Sequence, residues 1–151
     1  MFKRILLATD FSEAAQTAKW LTEELVQGGG PADLMVLIVF NPKDEWPREG
    51  VFLVSHQAEE HERKKFLLER EEALVDYGRD LKNRGILADH RILEGDPTES
   101  ILRFASEWGA DVVVIGATGK SSGREMTLGK TALAILKCST VPVLVAAHRA
   151  R

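Results

Sequence analysis

Apolar residues in this chain fall into short unbroken runs, separated by longer stretches in which they recur at helical spacing. The first run, Arg4 to Thr9, stops at Asp10-Phe11-Ser12. That predicts a buried strand, a turn and a helix N-cap at Ser12. From Glu13 to Gln27 the residues Ala14, Ala18, Leu21 and Leu25 mark one helical face, and Gly28-Gly29-Gly30-Pro31 ends it. Leu34 to Phe40 is apolar throughout, as in a strand covered on both faces. Asn41 to about Val54 holds Pro42, Trp46, Pro47 and Gly50 without a period, so a long connection is expected there, either a crossover segment or a lid.

Gln57 to Arg84 is heavily charged, yet Phe66, Leu67, Leu74, Tyr77 and Leu81 form a stripe at helical spacing, with Gly85 as terminator. A surface helix with a solvated outer side follows. Asp89 to Leu93 predicts a third strand, alternating at His90 and Ile92. In Gly95-Asp96-Pro97-Thr98-Glu99, Asp96 is placed to cap, Pro97 to take the first helical position and Glu99 to close a capping box, opening a helix to about Glu107. Val112 to Ile115 reads as a fourth strand, Gly116 to Met126 as a glycine-rich loop, Leu128 to Lys137 as a helix and Val141 to Ala146 as a fifth strand.

Strands and helices therefore alternate, and near-continuous apolar strands argue for an open parallel sheet with helices on both faces. Right-handed crossovers restrict this to doubly wound, Rossmann-like forms, whose ligands bind beyond the carboxyl ends of the strands where strand order reverses. The turn after strand one, Ala8-Thr9-Asp10, and the loop beginning at Gly116 would both lie at that edge.

Composition narrows the functional classes. A chain of 151 residues that is 44% hydrophobic is expected to form one domain over residues 1–151. Twenty Lys and Arg residues against 23 Asp and Glu give a formal net charge of -3, which gives nucleic-acid or membrane-surface binding little electrostatic support. No apolar stretch approaches a membrane span, and no signal-peptide pattern opens the chain. The single cysteine, Cys138, falls in an apolar helical pattern and is expected to be a buried, reduced thiol in a cytoplasmic setting. His56, His61, His90 and His148 show no metal-ligand spacing and are expected at the surface, while Trp20 and Trp108 are expected to pack. Trp46 is either a lid residue or a partner contact.

The glycine loop carries the candidate chemistry. In Gly116-Ala117-Thr118-Gly119-Lys120-Ser121-Ser122-Gly123, small residues follow a strand, so backbone N–H groups can turn toward an anion, and Gly129 opens a helix whose N-terminus favours phosphate. Tight turns alone are the competing explanation. Gly119-Lys120-Ser121 and Gly129-Lys130-Thr131 both resemble the end of a Walker A loop, but the first glycine of that motif would have to stand at Val114 or at Arg124. A dinucleotide G-x-G-x-x-G fingerprint is absent too, because two residues separate Gly116 from Gly119.

The spacing Gly116-x2-Gly119-x9-Gly129 followed by Val141-Pro142-Val143-Leu144-Val145 resembles the nucleotide-binding members of the universal stress protein family. So do Ile5-Leu6-Leu7-Ala8-Thr9-Asp10-Phe11-Ser12, and Gly95-Asp96-Pro97 ahead of Ala110-Asp111-Val112-Val113-Val114-Ile115-Gly116. The likeness spans nearly the whole chain. It implies a five-stranded parallel sheet of order 3-2-1-4-5, a homodimer joined along the last strand, and ATP or a related adenine nucleotide in the crevice, with or without Mg2+.

Carried over residue by residue, the resemblance sets the backbone around Ala8, Thr9 and Val39 against the adenine and Asp10 at the adenosine end. Gly116 and Gly119 would hold ribose and phosphates, the amides of Lys120 and Ser121 would continue the cradle, and Gly129, Lys130 and Thr131 would meet the terminal phosphates. The family usually has Ser or Thr directly after the third glycine. Here that place is taken by Lys130, a point-charge partner for phosphate, with Thr131 one residue later. Two bland roles stay open at this stage: Asp10 as a turn-former and Lys130 as a solvent-facing helix residue. The function expected is a stress-response regulatory protein that binds a nucleotide and acts on a protein partner. The alternatives are a slow ATPase, for which Glu125 is the only acidic residue in the loop, and a nucleotide-free dimeric adaptor.

Overall fold

The computed structural model describes residues 1–41, 56–118 and 128–147. The elements are β1 (Arg4–Ala8), α1 (Glu13–Gly29), β2 (Asp33–Phe40), α2 (His56–Asn83), β3 (Ala88–Glu94), α3 (Pro97–Trp108), β4 (Val112–Gly116), α4 (Lys130–Cys138) and β5 (Val143–Ala146). Five strands form one parallel sheet in the order β3-β2-β1-β4-β5, as expected. Among the described residues no helix is long and apolar enough to cross a membrane.

The unbroken apolar strands follow from the two-sided cover. Alternate residues Ile5, Leu7, Val36, Ile38, Val112 and Val114 pack with Ala18 of α1 and Leu74, Tyr77 and Leu81 of α2. Their neighbours Leu6, Ala8, Leu37, Val113 and Ile115 pack on the other face with Ile101 and Ala105 of α3 and Ala132 and Ile135 of α4. Successive strand residues point to opposite faces, so a sheet with two covered faces needs apolar residues at both parities.

Local signals set most helix ends. The Ser12 hydroxyl accepts the Ala15 N–H at 3.3 Å, and the Asp96 carboxylate accepts the Glu99 N–H at 2.9 Å with Pro97 opening α3. Gly85 and Gly109 sit at φ 80° and 74°. Each closes its helix with a paired bond, from Ile86 N–H to the Leu81 carbonyl and from Ala110 N–H to the Ala105 carbonyl, a left-handed geometry that glycine adopts without a steric penalty.

Several expectations need correction. Helix α1 does not stop at Gln27 but runs through Gly29, because the first left-handed residue is Gly30 at φ 84°. Its inward face is not the Leu21 and Leu25 stripe alone: Lys19, Thr22 and Glu23 are buried, since Lys19 pairs with Glu23 and with Asp80 of α2, and Arg84, just beyond α2, bonds Glu23 at 3.2 Å. The predicted surface helix is thus ion-paired to α1 along its inner side. Trp20 follows Lys19 by one residue, is rotated off that face, and is 42% exposed rather than packed. Trp108 is half-buried and stacks with Phe104.

Cys138 is exposed, not buried. On α4 the inward positions are Ala132 and Ile135, and the next position on that stripe is Ser139, which leaves the thiol outside it. Helix α4 begins at Lys130 rather than Leu128, and β5 at Val143 rather than Val141. The Ser139 hydroxyl donates to the Val141 carbonyl at 2.6 Å and accepts the Val141 N–H at 3.1 Å, so the chain turns there before it enters the strand. His61 and His90 are exposed as expected, while the 42–55 connection with Trp46, and the side chains of His56 and His148, lie outside what is described.

Candidate functional site at the carboxyl edge of β1 and β4

Strand order reverses between β1 and β4, the neighbours from which the chain departs in opposite directions across the sheet. Ala8 pairs with Leu37, so Val39 lies two residues further along β2. Leu7 pairs with Val114, which puts Gly116 level with Thr9. Ala8, Thr9, Asp10, Val39 and Gly116 therefore converge at one sheet edge. Gly129, Lys130 and Thr131 join them because the Gly129 N–H bonds the Ala117 carbonyl at 2.7 Å, closing the glycine segment back onto the end of β4. Gly119, Lys120 and Ser121, like Arg124 and Glu125, lie outside the described residues.

The β1–α1 turn is built from side-chain acceptors. The Thr9 N–H bonds the Leu37 carbonyl at 3.0 Å, and its hydroxyl accepts the Phe11 N–H at 3.1 Å. The Asp10 carboxylate accepts the Ser12 N–H at 2.9 Å. Asp10 thus performs the turn-ordering role that its position also allowed. Phe11 is held at φ 62°, a left-handed conformation rare for a bulky residue. Its ring meets Tyr77 of α2 edge-on at 5.8 Å. Tyr77 is buried, with the Thr9 side chain beside its hydroxyl but no hydrogen bond of normal geometry between them. Burial, then the nearby Glu23 and Asp80 carboxylates, push its phenol well above the usual range.

Gly116 has a packing reason to be glycine, independent of any ligand. A Cβ there would stand 2.8 Å from the Ala14 carbonyl carbon and 3.0 Å from both its Cβ and its carbonyl oxygen. The first turn of α1 presses directly on the end of β4.

Helix α4 starts without a side-chain cap at Gly129 and carries no acidic residue in its first turn. Its leading N–H groups and the partial positive charge of the helix end are directed at the sheet edge just described. Lys130 is exposed at the first helical position and Thr131 is half-buried at the second. This donor set suits an anion such as phosphate. For a divalent cation the described residues offer no group of three His, Cys, Asp or Glu side chains.

Phe11, Arg70 and Tyr77 complete this edge; the sequence marked Phe11 as part of a turn and Tyr77 as part of an apolar stripe, but none of the three as a site residue. A positive φ at phenylalanine has no sequence signature, and Arg70 stands in a run of charges, Glu69-Arg70-Glu71-Glu72, that looks like any solvated helix face.

Comparison with known proteins places this geometry in context. The model of the universal stress protein family matches residues 1–147. Universal stress protein MJ0577 of Methanocaldococcus jannaschii is 29% identical over 161 residues, covering 96% of this chain and 94% of that protein. The solved structure of MJ0577 covers 100% of this chain and 99% of its own, with a TM-score of 0.84 at 26% identity. A family protein from Arabidopsis thaliana, solved with AMP bound, covers 98% of this chain and 93% of its own, with a TM-score of 0.69 at 16% identity. A universal stress protein in complex with cAMP covers 98% of each chain, with a TM-score of 0.61 at 16% identity. At such identity the last two show a shared fold.

Proposed function

This chain belongs to the universal stress protein family, and we propose that it binds ATP or a related adenine nucleotide in the crevice between the β1 and β4 loops, as a regulatory module rather than an enzyme. The observation that carries the reading is the uncapped N-terminus of α4, tied to β4 by the Gly129–Ala117 bond and set at the same edge as the end of β1. Phosphates would meet the first N–H groups of α4, with the exposed Lys130 ammonium as a further partner and the Thr131 hydroxyl beside it. The adenine would lie against the backbone of Ala8, Thr9 and Val39, with Asp10 at the adenosine end. Gly119, Lys120 and Ser121 would complete the cradle, and Mg2+, where present, would arrive on the phosphates. Relatives solved with AMP and with cAMP support the ligand class.

Binding without turnover is the reading because the described residues bring no catalytic set to this edge: Asp10 is the acidic side chain that they place there, and they hold no cluster of His, Cys, Asp or Glu for a divalent cation. Isothermal titration and thermal denaturation with ATP, ADP and AMP test the proposal. A ligand present at a hundred times its Kd adds about 2.7 kcal/mol to stability, so the melting temperature rises measurably; no shift and no heat with millimolar nucleotide would refute it.

The sheet edges support a homodimer through β5 as the second part of the proposal. The β3 edge exposes Asp89, His90 and Arg91, charges that discourage strand addition. The β5 edge carries half-buried Val143, Leu144 and Val145, and Leu133 and Leu136 of the adjacent α4 are 40% and 43% exposed. Sedimentation velocity of the purified chain gives a dimer on this view, and a monomer at tens of micromolar refutes it.

A further inference from the structure

Helix α2 is longer than the sheet it covers. Its 28 residues span about 42 Å at about 1.5 Å per residue, whereas the 8 residues of β2 span about 26 Å. Two contacts show which part of α2 stands at the carboxyl edge: Arg63 pairs with Glu94 at the end of β3, and the Phe66 ring meets Phe40, the last residue of β2, at 4.7 Å. One turn further on is half-buried Arg70. Its guanidinium lies 4.8 Å from the centre of the Phe66 ring and 6.0 Å from that of Phe11. Phe11 directly follows Asp10, and Phe40 directly follows Val39. Arg70 is therefore held between the ends of β1 and β2, the end of the crevice assigned to the base, and away from the α4 terminus assigned to the phosphates.

We infer that Arg70 is a base-specificity residue of this crevice, donating from its guanidinium to an acceptor nitrogen on the purine. The inference rests on the nucleotide reading above. The chemistry follows from the side chain: guanidinium is donor-only, carries five N–H groups in a rigid plane, and so serves a base acceptor even with another group engaged. The two aromatic contacts restrict its rotation, so little entropy is lost when a ligand edge arrives. N1, N3 and N7 of adenine are such acceptors, whereas N9 is bonded to the ribose and the exocyclic amine donates. A base read this way is distinguished by the position of its acceptors rather than by its phosphates.

The test is a ligand–protein cycle. Dissociation constants are measured by titration for ATP and AMP and for their 1-deaza, 3-deaza and 7-deaza forms, each of which replaces one ring nitrogen with C–H. The wild-type chain is expected to bind one deaza form about tenfold or more weakly than its parent, as loss of a hydrogen bond to a charged donor implies. In Arg70→Met that ratio falls to about one, while Leu68→Ala, an exposed position on the same helix, keeps it. A general loosening of α2 would weaken every ligand alike and leave the ratio unchanged. Arg70→Gln serves as second variant if Met at this position fails to fold. Equal binding of all forms by the wild-type chain, or an unchanged ratio in Arg70→Met, overturns the inference and leaves nucleotide binding standing. No binding of ATP or AMP by the wild-type chain overturns both.

Discussion

Substituting Gly116 by alanine separates two reasons for a glycine at the head of the loop. If the residue serves only the approach of a ligand, the ligand-free protein should tolerate a methyl group. The packing says otherwise: the added Cβ falls 2.8 Å from the backbone carbonyl carbon of Ala14, well inside van der Waals contact, and the obstacle is main chain at the start of α1 rather than the far end of a flexible side chain. Relief requires α1 or the end of β4 to shift. Overpacking of this kind costs about 1–3 kcal/mol, which for a domain of this size lowers the melting temperature by about 2–4 °C per kcal/mol. Gly116→Ala is therefore expected to unfold earlier in urea without ligand, with an unchanged m-value. Ala14→Gly in the same chain removes one of the three close contacts, at 3.0 Å, and leaves the two to backbone atoms, so it should restore only part of the loss. Ligand-free stability within about 0.5 kcal/mol of wild type, the range of a neutral surface change, would refute the reasoning and return Gly116 to a purely ligand-facing role.

Two further outcomes follow from the electrostatics. The Asp111 carboxylate accepts the Arg4 and Lys3 N–H groups at 2.9 and 2.8 Å, and these bonds, that of Arg4 foremost, hold its carboxyl below the ordinary value. The unfolded chain then takes up a proton first as pH falls, so this contribution is complete above about pH 4 and is lost as pH drops through the folded-state value. Asp111→Asn retains an acceptor oxygen but does not titrate, and should flatten the acid limb of a stability–pH curve; an unaltered limb would count against it. Lys19 is 9% exposed among Glu23, Asp80 and the face of Tyr77, 4.4 Å from the ring centre. Lys19→Met leaves the buried Glu23 with Arg84 alone and should cost about 2–3 kcal/mol in urea denaturation, toward the lower end for a broken buried pair. A cost below about 0.5 kcal/mol would show that the pair contributes little.

The main features of the fold were legible because they depend on periodicity and on single residues. Apolar runs at both parities indicated two-sided strands, and Ser12, Asp96 and Gly85 marked helix ends through local hydrogen bonds or a local φ. The candidate site was legible as an edge: Ala8, Thr9, Asp10, Val39, Gly116, Gly129, Lys130 and Thr131 do meet at the carboxyl ends of the strands. Less legible was which residues of a helix turn inward. Lys19 and Glu23 lie off the apolar stripe of α1 and turn inward because their partners, Asp80 and Arg84, come from a distant segment, while Cys138 was expected inside on the apolar helical pattern around it and Trp20 on its helical position.

By itself, then, the sequence determined the order of elements, their parallel arrangement with both faces covered, most caps and the family, since each is written in neighbours along the chain. The tertiary structure alone decided the identity of contacts between segments. It showed that Ala14 presses on position 116, decided that the Asp10 carboxylate accepts a bond within its own turn, and lodged Arg70 between Phe66 and Phe11 at the end of the sheet. The Ala14–Gly116 and Arg70–Phe11 contacts join residues far apart in the chain, and hydrophobic periodicity, which reports only whether a position faces the core, does not encode which partner it meets there.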